Sequence, residues 1–205
     1  MPPPEDSMQR PAPMRSPARR SSMARWPAQD SCGTDYPVST ITCSSALGSV
    51  FGKESLVKIA VIALGKIGLP LAVQFADMGH EVVGVDVQQA VVDAVNAGVE
   101  PFPGEAYLQE KLSRLVPAGR LRATCDYSEA IPGVDAIVIV VPLFVDDETW
   151  LPDFGWMEAA TRSFAEHLTP GTLISYETTL PVGTTRGRWK PLIEEVSGLE
   201  EGKDF

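Results

Sequence analysis

Ala63, Gly65 and Gly68 follow directly on an apolar run, Ile59-Ala60-Val61-Ile62, and precede an amphipathic stretch leading to a second apolar run that ends in Asp86. Small residues at that spacing let a bulky anion come close to backbone N–H groups, and the start of a helix favours negative charge there. Asp86, 21 positions after Gly65, is a carboxylate placed to accept hydrogen bonds from a pair of sugar hydroxyls. An anion cradle joined to a diol acceptor is the chemistry of holding a dinucleotide.

In the pattern G-x-G-x-x-G the first glycine permits a tight turn off the strand. The second lets a pyrophosphate approach the backbone, and the third lets helix pack closely on strand. Here the turn reads Ala63, Leu64, Gly65, Lys66, Ile67, Gly68, so the first position carries a β-carbon. If that position needs left-handed geometry, alanine costs about 1–2 kcal/mol there, and weakened rather than abolished binding is expected. A carboxylate at position 86 repels a 2′-phosphate, and Val87, Gln88 and Gln89 bring no Arg or Lys to welcome one. The expected cofactor is therefore NAD.

The elements that must position these groups follow from periodicity. Residues 88–97 predict a helix with Val91, Val92 and Val95 on one face, and residues 105–116 a second with Leu108, Leu112 and Leu115. Strands are expected at 121–124, at the continuous apolar run 135–141, and at 172–177. An amphipathic helix is expected over 154–168. A last one carries Trp189, Leu192, Ile193 and Val196, with Thr184 or Thr185 at its N-cap. Strands alternating with helices give an α/β fold, a Rossmann-type doubly wound parallel sheet, truncated before the sixth strand.

Net charge is −10, which gives no electrostatic support to nucleic-acid binding. No apolar run approaches the roughly 18 residues of a membrane span. Cys32, Cys43 and Cys125 show no metal-ligand spacing, so no metal is expected. A reducing, cytoplasmic setting is the simplest reading, with Cys125 a small buried hydrophobe. Residues 1–56 carry eight of the eighteen prolines, many serines and no periodicity, and read as a disordered leader ahead of a domain at 57–205. A targeting peptide, an interaction arm or an upstream start codon would each account for it. The last, with the natural protein beginning near Val57, is favoured because nothing upstream contributes to the fold.

Residues 58–86, with GRLRATCDYSEAI (119–131), DAIVIVVP (135–142), HLTPGTLISYETTLPVGTTRG (167–187) and SGLEEGKDF (197–205), resemble the N-terminal domain of the nucleotide-sugar dehydrogenases. These are the UDP-glucose, GDP-mannose and UDP-N-acetylmannosamine enzymes. The resemblance implies oxidation of a UDP-sugar C6 alcohol to the carboxylate in two NAD-dependent steps, through a cysteine-linked thiohemiacetal and thioester. It implies that Thr179 holds a water at the reacting centre, as the one catalytic residue present. It implies that Glu177 and Thr178 flank the nicotinamide, and that Val141 and Pro142 pass along the cofactor.

The family's common Thr-Pro is here Leu143-Phe144, which carries no hydroxyl. The nucleophilic cysteine, its lysine and asparagine partners and the family's dimerising helix are expected beyond residue 205, so a homo-oligomer would need those parts. Two alternatives stay open: a binding remnant without chemistry of its own, and a different hydride-transfer enzyme of the 6-phosphogluconate type. Residues 177–185 argue against the second. Capping is the competing reading for Thr184 and Thr185, pairing with a surface Arg for Glu177, and a plain loop position for His80 and His167.

Overall fold

The computed structural model describes residues 56–205; the leader and Cys32 and Cys43 lie outside the described residues. The first strand, β1 (Lys58–Ile62), is followed by α1 (Gly68–Asp77), β2 (Glu81–Val85), α2 (Gln89–Asn96), α3 (Leu108–Leu115) and β3 (Leu121–Thr124). Then come α4 (Tyr127–Ala130), β4 (Ala136–Ile139), a hairpin of β5 (Phe144–Val145) and β6 (Pro152–Asp153), α5 (Gly155–Ala165), β7 (Leu173–Tyr176), a π-helical turn (Thr185–Trp189) and α6 (Lys190–Ser197). The main sheet has five strands in the order β3-β2-β1-β4-β7, all pairs parallel. The order reverses between β1 and β4, as in the first five strands of a Rossmann sheet.

Successive residues of a strand point to opposite faces, and the central strands are apolar on both. Ile59 and Val61 of β1 join Leu69, Val73, Val92, Leu112 and Leu115 in one core. Ala60 and Ile62 join Ile137, Met157, Phe164, Trp189 and Ile193 in the other. A strand buried on two sides needs a helix layer on each, and the β-α crossovers supply them. The sheet's outer edge at β3 is closed by a side chain. Asn96 donates from Nδ2 to the Ala123 carbonyl at 2.9 Å and accepts the Ala123 N–H at 2.8 Å, so it mimics a neighbouring strand where none lies among the described residues.

Several boundaries differ from expectation for physical reasons. Strand β4 ends at Ile139, but its ladder runs one bond further, with the Val140 N–H donating to the Ile62 carbonyl at 3.0 Å, and Val141 stays buried beyond it. Helix α3 begins only after Tyr107, which sits at φ 63°. The short α4, capped by Asp126 accepting the Ser128 N–H at 2.7 Å, and the β5–β6 hairpin had no periodic signal. The last helix does not start as an α-helix. Pro191 has no N–H to donate back to Gly187 and its ring crowds that carbonyl, so the preceding turn widens into a π-turn. Thr184 does not cap it: its hydroxyl donates backward to the Pro181 carbonyl at 2.7 Å, and no side-chain cap is formed at the π-turn.

Candidate site at the carboxyl ends of the strands

Ile62, Val85, Ile139 and Tyr176 form one row across β2, β1, β4 and β7. The residues that follow them, Ala63, Asp86, Val140 and Glu177, therefore share one rim. Every candidate residue lies on that rim or a few positions past it, and the rim spans the point where strand order reverses. Crevices of this kind are where open α/β sheets take ligands.

Ala63 is left-handed, with φ 75°. Its N–H donates to the Val85 carbonyl at 2.8 Å, and its own carbonyl turns toward α1. A β-carbon on Gly68 would stand 1.8 Å from that oxygen, so no other residue fits at 68 without moving the turn. A β-carbon on Gly65 would meet nothing within 4 Å; the space over that residue is open. Leu69 N–H closes on the Gly65 carbonyl at 3.1 Å, whereas the N–H groups of Gly65, Lys66, Ile67 and Gly68 have no partner among the described residues. Four unengaged donors at the start of α1, with no acid in its first turn, suit a pyrophosphate. The residues present fit a dinucleotide.

Leu64 is fully buried. It fits because β2 carries Gly84, where a β-carbon would come within 2.6 Å of its methyls. Sequence reading passed over Gly84; a glycine inside an apolar strand is the available signal for such a close approach. The Asp86 carboxylate accepts the Leu64 N–H at 2.8 Å and the Gln88 N–H at 2.9 Å. Each oxygen keeps a further lone pair for a hydroxyl.

Tyr127 stands close enough to Asp86 to feel its charge. Burial first, and that charge second, push its phenol up to about 12 from 10.0. The folded chain thus holds the neutral phenol while the unfolded chain releases its proton near pH 10. Stability is expected to fall as pH rises from about 10 to about 12, by up to roughly 2–3 kcal/mol. Denaturation across that range should show a shallower slope in Tyr127→Phe.

At the other end of the rim, Val141 is buried and Pro142 exposed. Glu177 is not paired with an arginine among the described residues: its carboxylate accepts the Ser175 hydroxyl at 2.6 Å, while its N–H holds the Ile139 carbonyl at 2.9 Å. Thr178 is half-buried, Thr179 is exposed, and neither hydroxyl has a partner among the described residues. Beneath this segment Tyr176 stacks on Trp189, with centroids 5.7 Å apart. Phe154 meets the same indole edge-on at 5.6 Å. The Tyr176 hydroxyl shares a 2.8 Å hydrogen bond with Thr161 of α5.

Cys125 is exposed, a correction to the buried position expected of it. It follows the end of strand β3, and its thiol points to Gln89 Oε1 at 3.4 Å, with no cation in contact among the described residues that would favour a thiolate. His80 lies in the turn before β2, at the amino ends of the strands, and His167 follows α5. Neither is on the rim.

The model of the UDP-glucose/GDP-mannose dehydrogenase family, NAD binding domain, matches residues 57–205. The UDP-N-acetyl-D-mannosamine dehydrogenase of Pyrococcus horikoshii is 39% identical over 150 residues, covering 72% of this chain and 34% of the relative. The NDP-N-acetyl-D-galactosaminuronic acid dehydrogenase of Ralstonia nicotianae is 41% identical over 132 residues, covering 62% of this chain and 29% of the relative. Among solved structures, a ternary complex of GDP-mannose dehydrogenase from Pseudomonas aeruginosa superposes with a TM-score of 0.68 at 30% identity, over 72% of this chain and 34% of that one. The chain spans about a third of the length of the curated relatives it matches. Among the described residues no helix is long and apolar enough to cross a membrane. On its family match, its sheet order and its fitted turn, the chain belongs to the UDP-glucose/GDP-mannose dehydrogenase family, whose NAD-binding domain it carries.

Proposed function

We propose that residues 57–205 are the coenzyme-holding part of a nucleotide-sugar 6-dehydrogenase, and that the chain binds NAD but oxidises no sugar by itself. The observation that carries this reading is the rim: open space over Gly65, four unengaged N–H groups and a carboxylate at 86. In this reading the backbone of Ala63, Leu64, Gly65, Lys66, Ile67 and Gly68 cradles the pyrophosphate. Asp86 accepts the adenosine ribose hydroxyls, and Val141 and Pro142 border the cofactor between its halves. Glu177 and Thr178 flank the nicotinamide, whose chemistry is to take a hydride. Thr179, exposed and without a partner among the described residues, orients a water beside the carbon being oxidised.

The UDP-sugar would be held, and the C6 aldehyde left by the first hydride transfer attacked by a thiolate, through residues other than those described, because Cys125, the cysteine among the described residues, has neither the place nor the cation that nucleophilic catalysis requires. The relatives' names include both mannosamine and galactosaminuronic acid enzymes, so the match to them does not select one sugar. A cytoplasmic enzyme is proposed, with oligomerisation depending on the same outside residues.

Calorimetry of the full chain should give saturable NAD binding at least tenfold tighter than NADP, and no NADH from UDP-sugars. NADP binding equal to NAD would overturn the role of Asp86. Sugar-dependent NADH formation would overturn the division of labour.

A further inference from the structure

Besides its proposed place at the ribose, Asp86 is bonded inside the protein, and one of those bonds ends on the peptide whose geometry is unusual. The Ala63–Leu64 peptide unit is held at both ends. Its N–H donates to Asp86 Oδ2 at 2.8 Å, and its carbonyl oxygen rests against Gly68, in the place a β-carbon would need. Ala63, on its amino side, is left-handed at φ 75°, a conformation that an alanine leaves readily unless its surroundings prevent it. The opposite oxygen of Asp86 takes the Gln88 N–H at 2.9 Å, fixing the carboxylate relative to the start of α2. A hydrogen bond to an ionised acceptor is among the stronger ones available to a backbone N–H, and this one is partly buried.

We infer that Asp86 is a positioning residue for the coenzyme turn: through Leu64 N–H it holds the left-handed Ala63 in the shape that exposes the N–H groups of residues 65–68. The proposal rests on the coenzyme reading above but adds a claim about the ligand-free protein. With glycine at position 63 the turn would keep its shape unaided. With alanine there and no carboxylate at position 86, the peptide can rotate away and take its carbonyl off Gly68. Loss of Asp86 should therefore cost more affinity in the natural Ala63 background than in an Ala63→Gly background.

The test is a double-mutant cycle on the full chain with NAD, together with amide hydrogen exchange of the ligand-free protein. Asp86→Ala is expected to remove the protection of the Leu64 amide in the absence of NAD. It should weaken NAD binding about tenfold more in the natural background than in the Ala63→Gly background, roughly 1.4 kcal/mol of coupling. Asp86→Asn, which keeps one acceptor oxygen, should fall between and guards against a variant that does not fold. Equal affinity losses in both backgrounds, or unchanged Leu64 exchange, would overturn the inference and leave Asp86 as a ribose acceptor alone. Absence of NAD binding by the unaltered chain would instead overturn the coenzyme reading, while the exchange measurement would still decide whether the turn is held.

Discussion

Gly68→Ala is expected to abolish measurable NAD binding and to destabilise the domain by about 3 kcal/mol or more, toward the upper end for overpacked sites. The added methyl would lie 1.8 Å from the Ala63 carbonyl oxygen, well inside any van der Waals contact. Neither partner is the free end of a flexible side chain. The oxygen belongs to a peptide whose N–H is tied to Asp86, and the new carbon would belong to the first residue of α1. Relief requires the helix to lift off β1, which pulls Leu69 from the core beneath and turns the unengaged N–H groups away from one another. Gly65→Ala is the matched control. Its methyl would enter open space, so stability should hold while NAD affinity falls, because that space is where the pyrophosphate lies in the proposed complex. Thermal melts without ligand and NAD titrations separate the two effects. Equal stability losses for the two variants would refute the assignment of packing to Gly68 and ligand room to Gly65.

The second large effect concerns Trp189, which is fully buried between Tyr176 and Phe154, with the Arg188 guanidinium 5.5 Å from its ring centroid. Trp189→Ala removes the largest fully buried side chain and should cost about 3–5 kcal/mol. The loss should be felt on the rim too, since the indole supports Tyr176, the residue before Glu177, Thr178 and Thr179. The indole N–H is buried without a partner among the described residues, and an unmade hydrogen bond is itself a cost of about 1–3 kcal/mol. Trp189→Phe gives up volume but also removes that unsatisfied donor. It should therefore lose well under half of what the alanine variant loses, measured by urea denaturation. A phenylalanine variant as unstable as the alanine one would show that the N–H is satisfied after all.

How much of this was legible in the sequence depends on what each signal reports. The βαβ order, the sheet and both helix layers follow from apolar runs, because the central strands are buried on both faces and must be apolar throughout. Asp86 was legible as a carboxylate at the end of a strand. That it also holds Leu64 and Gln88 was not, since a hydrogen bond 22 positions away leaves no periodicity. Ala63 was legible as an anomaly, and only the backbone shows that the turn does demand the left-handed region. Gly84 escaped notice because its partner, Leu64, is its neighbour across the sheet and not along the chain. The capping expected of Thr184 failed because Pro191, seven positions later, changes the kind of helix that begins there. Cys125 was misjudged because composition favours burial of cysteine, whereas an edge strand's end faces solvent.

The amide of Asn96 gives the sheet a direction of growth. On the β3 side the central outward-facing residue, Ala123, already has both backbone groups engaged by that side chain. On the β7 side, Leu173 and Glu177 spend their N–H groups on β4, so Ile174 and Tyr176 turn theirs outward. A further strand, from this polypeptide or from any other, would thus meet free backbone groups at the β7 flank, whereas on the β3 flank Ala123 is already engaged. A strand added at β7 would lie beside the segment that carries Glu177, Thr178 and Thr179. Extending the sheet and enclosing the proposed nicotinamide end are, by this geometry, the same event.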